Sequence, residues 1–160
     1  MPILPSGSDA AIRLATNADV PAIEAVVYAA YTGYTERIGV PPGPMLDDYS
    51  RSVNEQAVWV LAMDRHIMGL VVLSPKEDHL YLDNIAIHPA SQGQGLGRTL
   101  MRFVEAEARR LGIPELRLFT HRTMYENIAL YGRTGWIETG RHEQDGYDRV
   151  FFRKSVPVTP

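Results

Sequence analysis

Ile85-Ala86-Ile87-His88-Pro89-Ala90-Ser91-Gln92-Gly93-Gln94-Gly95-Leu96-Gly97-Arg98 is the stretch on which the fold turns. Its apolar run stops at His88-Pro89, because proline has no amide proton for a sheet ladder and restricts the residue before it. Three alternating glycines then open a segment with Leu96, Leu100, Phe103, Val104, Ala108 and Leu111 at i, +4, +7, +8, +12 and +15, the apolar face of a long helix. Gly112 and Pro114 end it. A strand, a glycine-rich turn and a helix start together suit phosphate: the first helical amides have no intrahelical partner, the macrodipole places about half a positive charge there, and glycine lets a ligand approach the backbone. Two familiar phosphate loops do not match. G-x-G-x-x-G needs glycine where Arg98 stands, and the P-loop needs lysine there and glycine where Gln92 stands. What is left is Gln92-x-x-Gly95-x-Gly97, with Arg98 adding a charge in the first helical turn.

Outward from this stretch, Ala11 to Leu14 reads as a strand. Thr16 and Asp19 have capping-box spacing before a helix whose stripe is Val20, Ile23, Val27, Ala30 and Tyr31. Tyr31 to Ser52 is punctuated by Tyr, Gly, Pro and acidic residues and reads as a loop with a short helix near Leu46 to Ser52. Val58 to Ala62 and Ile67 to Leu73 form a hairpin of buried strands, and Leu80 to Ile87 is a further strand. Beyond the long helix, Leu116 to Phe119 is strand and Glu126 to Arg133 helix. Trp136 to Gln144 pairs with Tyr147 to Arg153 across the turn dipeptide Asp145-Gly146. The order, roughly β α (α) β β β α β α β β, predicts a mixed α/β layer fold, not strict βαβ alternation. At 160 residues the chain has room for one domain, taken as 11–155, with 1–10 and 156–160 as flexible termini.

Composition removes several functions. Without cysteine there is no disulfide framework, Cys-type zinc site, iron–sulfur cluster or thiol nucleophile. Sixteen Lys and Arg against nineteen Asp and Glu leave a net charge of -3, the wrong sign for bulk nucleic-acid binding. No apolar run approaches the roughly 20 residues of a membrane span, and the first residues lack the pattern of a signal peptide, so the expected location is cytoplasmic. The five histidines show no metal-ligand spacing, and no metal is expected.

The Gln92-to-Arg98 turn resembles the acyl-CoA-binding motif of the GNAT superfamily of N-acetyltransferases: Gln or Arg, two residues, Gly, one residue, Gly or Ala. Asn84-Ile85-Ala86-Ile87-His88-Pro89 is similar to the family's fourth strand, which diverges from the fifth to admit the pantetheine arm. Glu126-Asn127-Ile128-Ala129-Leu130-Tyr131 followed by Gly135-Trp136 resembles its C-terminal Asn, Tyr, Gly, aromatic signature. The likeness runs from about Ala11 to Lys154. It implies an acyltransferase fold with a central, mostly antiparallel sheet flanked by helices, and acetyl-CoA as cosubstrate. The amides of Gln92, Gly93, Gln94, Gly95, Leu96, Gly97 and Arg98 would hold the pyrophosphate, and the strand segment Ile85, Ala86 and Ile87 would hold pantetheine and the thioester. Asn127 would bond the cofactor arm and Tyr131 would donate a proton near sulfur; the two are four apart on one helix and share a face. Many members carry that Asn seven residues before the Tyr, where this chain has Met124.

Acetyl transfer to an amine also needs a base, since a lysine-like ammonium costs roughly 4–5 kcal/mol to deprotonate at pH 7. Some family members carry a carboxylate on the strand that here runs Leu116 to Phe119, but its inward positions are apolar. Asp83, Glu36 and His121 are the candidates, Asp83 first. Tyr31, Tyr34, Tyr49, Glu36, Asp47 and Asp48 make the Tyr31-to-Tyr49 segment the expected substrate wall, because aromatic faces and carboxylates suit a cation. Of the basic stripe Arg98, Arg102 and Arg109, only Arg98 is expected to reach phosphate. The acceptor is read as a small-molecule amine or a peptide, with a protein N-terminus or lysine as the rival, and a CoA-binding module without catalysis as the rival outside enzymes. A homodimer is left open.

Overall fold

The computed structural model describes residues 10–157. Seven strands form one sheet in the order β1-β2-β3-β4-β5-β7-β6, with β1 at Ala11–Leu14, β2 at Val58–Met63, β3 at His66–Pro75, β4 at Leu80–Ile87, β5 at Glu115–His121, β6 at Ile137–Gln144 and β7 at Tyr147–Ser155. Every neighbouring pair is antiparallel except β4 and β5. This is the mixed, mostly antiparallel sheet the sequence predicts. Val58 and Val60 on β2 and Leu70 and Val72 on β3 pack under α1 (Val20–Tyr31) and α3 (Tyr49–Asn54), while Leu61, Val71 and Leu73 face α4 (Leu96–Leu111). Both faces are covered, which is why these strands read as continuous apolar runs. No helix among the described residues is long and apolar enough to cross a membrane.

Local signals placed their elements closely. The amide of Thr16 donates to Asp19 Oδ2 at 2.8 Å, and Arg13 pairs with the same carboxylate at 2.7 Å, holding it down at about 2. Gly112 takes φ +71 at the end of α4, and Ile113 N donates to Ala108 O at 2.8 Å, a Schellman closure. Asp145 and Gly146, at φ +55 and +83, make the two-residue hairpin turn.

Two expectations need correction. Tyr31 to Ser52 is not mainly loop: it holds a 3-10 turn at Thr32–Tyr34, α2 at Thr35–Ile38, a second 3-10 turn at Gly43–Leu46 and the start of α3. Single turns leave no periodic stripe, so the sequence pattern could not show them. At the termini, Ala10 is fully buried and Val156 N donates to Pro114 O at 2.8 Å, so both belong to the packed unit; 1–9 and 158–160 lie outside the described residues.

Two features of β4 shape the site. Val72 pairs with Asn84 and Leu73 with Leu82, so Asp83 is the extra residue of a β-bulge. The bulge reverses the alternation: Leu80 and Leu82 face α4, whereas Asn84 turns to Tyr49 and Tyr31 and Ala86 joins the core under α1. The second is a parting of strands. β4 and β5 pair only at Leu80 with Leu116 and Tyr81 with Arg117, and from there they separate. At Gly69, opposite Ile87, an added Cβ would lie 2.9 Å from Ala86 O, so only glycine lets β3 follow β4 along the gap.

Candidate active site

A cavity of about 950 Å³ fills the gap and extends past the N-terminus of α4. His88 N donates to Met68 O at 2.8 Å, so alternate residues 88, 86 and 84 spend their main-chain groups on β3. Ile85 and Ile87 therefore present theirs to the gap, and the Ile85 carbonyl there accepts the Tyr31 hydroxyl at 3.0 Å. Ala86 borders the cavity, but its amide and carbonyl belong to the ladder with Leu70 and are not turned to the gap.

At the α4 end Gly93 and Gly95 take φ +80 and +77, and none of the amides of Gly93, Gln94, Gly95, Leu96, Gly97 and Arg98 has an acceptor among the described residues. Six consecutive unpaired donors at a helix start form an anion cradle of the kind the motif implies. Gln92, Gly93, Gly95, Leu96, Gly97 and Arg98 line the cavity; the Gln94 side chain is exposed and not part of that lining. Arg102 lines it as well, with Lys154, whose Nζ is held by Glu105 at 3.1 Å and by Thr134 O at 2.8 Å. Arg98 is thus not alone: one helical turn brings Arg102 to the same side, and Lys154 arrives from β7, a long-range placement with no local signal. Arg109 does pair with Glu105, at 3.7 Å.

An added Cβ at Gly97 meets open space, and its φ is ordinary. Gly97→Val would therefore fill the cradle without the backbone strain that valine suffers at Gly95. We expect at least tenfold weaker acetyl-CoA binding by calorimetry, about 1.4 kcal/mol, with an unchanged circular dichroism spectrum; unaltered affinity would make the turn purely structural.

On α5 (Tyr125–Arg133), Asn127 and Tyr131 both face the cavity, four residues apart. Tyr131 is buried against Trp136 and Phe152, with ring centroids 5.7 and 5.5 Å away. Its hydroxyl bonds no protein group among the described residues, yet no buried side-chain oxygen or nitrogen lacks a partner, so the hydroxyl must open on the cavity. Burial pushes it up to about 12. Asn127 Nδ2 has only a long 3.7 Å contact to Met124 Sδ.

The opposite wall is built by parity. Leu118, Val150 and Phe152 belong to the core under α4, so Phe119, His121, Tyr147 and Arg149 stand on the other face of the sheet. Tyr81 shares that face, its ring 6.0 Å from Phe119, and Asp83 opens beside it. The Asp83 carboxylate accepts from Ser74 Oγ; partial desolvation raises its pKa, opposed by that bond and by Lys76. Asp47 also borders the cavity and is raised by desolvation and by the charge of Asp83. Desolvation lowers the pKa of His121, and Thr123 N donates to its Nδ1 at 3.1 Å, which places the proton of the neutral ring on Nε2. Glu36 is not part of the site: Tyr34 and Ile38 point α2 into the cavity, and Glu36, two residues from each, lies on the exposed side. Tyr34 stays on the wall, with Arg37 5.2 Å over its ring.

Tyr31 has a different part from the one its composition suggests. Its hydroxyl lies 2.5 Å from Asn84 Oδ1, Asn84 Nδ2 donates to Tyr49 Oη at 3.1 Å, and Tyr49 donates to Pro44 O at 2.6 Å. This buried chain ties α1, α3 and the loop between them to β4. Tyr31 therefore walls the cavity with its ring while its hydroxyl is committed to β4. Asn84, Tyr147, Arg149 and Lys154 escaped the sequence reading; for Asn84 alone there was a signal, a polar residue inside an apolar strand.

A mixed sheet whose one parallel pair parts beside an amide-lined helix start is the architecture of an N-acetyltransferase. The chain belongs to the acetyltransferase (GNAT) family, whose model matches residues 23–136. It is 29% identical over 109 residues, 66% of the chain, to Probable N-acetyltransferase 14 of Xenopus tropicalis, of which the match covers 53%. The chain spans about half the length of the curated relatives it matches. Among solved structures it resembles the ribosomal-protein-S18-alanine N-acetyltransferase of Escherichia coli, with a TM-score of 0.75 at 22% identity, over 94% of this chain and 96% of that one. It also resembles the PaiA N-acetyltransferase of Thermoplasma acidophilum in complex with coenzyme A, with a TM-score of 0.72 at 18% identity, over 92% and 99%. These likenesses establish a shared fold.

Proposed function

We propose that the protein is an acetyl-CoA-dependent N-acetyltransferase acting on an amine of a small molecule or peptide by direct attack. The observation that carries this is the meeting, in one cavity, of five residues with unpaired amides, the parted strands and an unbonded tyrosine hydroxyl. The residues fit the cofactor: Gly93 to Arg98 with Arg98, Arg102 and Lys154 suit its phosphates, and the main-chain edge of Ile85 and Ile87, turned away from β3, suits an amide-bearing arm. When bound, acetyl-CoA supplies an acetyl group activated as a thioester. Asp83 takes the proton of the incoming ammonium, directly or through a water, and the raised carboxylate pKa narrows the mismatch between base and amine. Tyr131 donates a hydrogen bond toward the departing sulfur, and Asn127 orients the arm beside it.

The test has two readouts. Acetyl-CoA at about 100 times its dissociation constant adds roughly 2.7 kcal/mol and raises the Tm by several degrees, while NAD and ATP do not. A panel of amines and peptides with acetyl-CoA, followed by free CoA, should yield turnover with at least one acceptor, and peptides ending in a free N-terminus or carrying lysine belong in it. Stabilisation by acetyl-CoA with no CoA release from any acceptor would reduce the protein to a CoA-binding module.

A further inference from the structure

Arg149 on β7 is the one strongly basic group on the acceptor face of the cavity among the described residues, and the proposed reaction gives it no part. Its side chain is only 12% exposed, although a guanidinium stays charged at any working pH. Its carbon lies 3.9 Å from the centroid of Phe119 and 5.6 Å from that of Tyr147, so the flat face of the group is packed on aromatic rings. Nη1 donates to Gln144 Oε1 at 2.6 Å and stands 3.5 Å from the exposed Asp145 carboxylate. Nε and Nη2 have no acceptor among the described residues, and because no buried side-chain nitrogen is unpaired, that edge must be open. Nε and Nη2 are the parallel donors that take a carboxylate in a two-point grip. Asp47 and Asp83 border the same cavity, and neither comes within ion-pair distance of Arg149. The acceptor half is thus bordered by separated acidic and basic groups, and Arg149, which also lines a small pocket with Arg122 and His142, keeps its fork unfilled.

We propose that the acceptor amine carries a carboxylate, which the Nε–Nη2 edge of Arg149 receives while the amine stands at Asp83. This deepens the acetyltransferase reading and rests on it. The ligand chemistry is that of an amino acid or of a peptide with an acidic side chain or nearby C-terminus, and the arms of the test separate these sources.

The experiment measures CoA release with matched pairs: α-amino acids, 4-aminobutyrate and dipeptides, each against its carboxamide. At least one carboxylate should exceed its carboxamide tenfold or more in kcat/KM, carried mainly by KM, and the pair that does so identifies the amine–carboxylate spacing. Arg149→Gln should bring that ratio within threefold of unity, with the fold checked by the acetyl-CoA Tm shift. Arg149→Lys, which keeps the charge and loses the fork, should retain only part of the preference. Turnover with equal kcat/KM for both members of every pair overturns the carboxylate and leaves acetyl transfer standing, as does a preference that survives in Arg149→Gln. Absence of turnover with any acceptor overturns both.

Discussion

Tyr131→Phe is expected to lower kcat about 10²- to 10³-fold while leaving acetyl-CoA affinity within a few-fold. The substitution keeps the ring against Trp136 and Phe152 and removes only the hydroxyl. With its pKa pushed up to about 12, the phenol sits several units above a thiol near 8.5, so complete transfer of its proton to sulfur is uphill by several kcal/mol. Its contribution is then a hydrogen bond to charge growing on sulfur, made from a buried position, and loss of such a donor typically costs about this much. The same value keeps Tyr131 protonated across the working range, so the parent kcat should show no limb from this residue below about pH 10. A packing role forecasts otherwise: Tyr131→Phe would be as active as the parent, and only Tyr131→Ala would suffer, through a cavity worth about 3–5 kcal/mol. Steady-state kinetics on the folded Phe variant separates the two, and a kcat within threefold of the parent ends the assignment.

The second large effect falls on Asp83. Asp83→Asn should reduce kcat/KM at neutral pH by about 10²- to 10⁴-fold, the usual range for a lost general base, without moving the acetyl-CoA Tm shift. The sign with pH follows from the carboxylate working deprotonated. Parent kcat/KM rises with pH through the pKa of Asp83, which desolvation places above the ordinary carboxylate value. In the Asn variant that acid limb disappears, and activity instead climbs toward alkaline pH as the amine loses its own proton. Ser74→Ala supplies an independent check, because Ser74 donates to Asp83 and so favours the charged form. Without that bond the acid limb should move to higher pH. An Asn variant with the parental profile, or a Ser74→Ala limb that moves down, would exclude Asp83 as the base.

The recognisable parts of this protein are those whose physics is local. The helix start at Gly95, its end at Gly112, the capping pair Thr16 and Asp19, and the Asp145-Gly146 turn each depend on residues a few positions apart, so their conformations can be read from the chain order. The cradle belongs with them, because unpaired amides follow from any helix start and three glycines leave them accessible. Asn127 and Tyr131 share a face for the same reason.

Long-range register settled the remainder. Whether Asp83 meets the cavity depends on one extra residue against β3, which also turns Asn84 toward α1, and no periodicity within Leu80–Ile87 reports a bulge. Glu36 reads like a substrate carboxylate until a single turn of helix points Tyr34 and Ile38 inward and leaves it outside. Arg149 looks like a hairpin surface residue, and its place opposite His121 exists only because β7 inserts between β5 and β6. Local chain order thus carried the fold, the cradle and the tyrosine, since nearest-neighbour geometry suffices for them. Which candidate carboxylates border the cavity, and the place of Arg149 beside them, came from strand register, which sets the orientation of every side chain along a strand and is determined by partners far away in the chain.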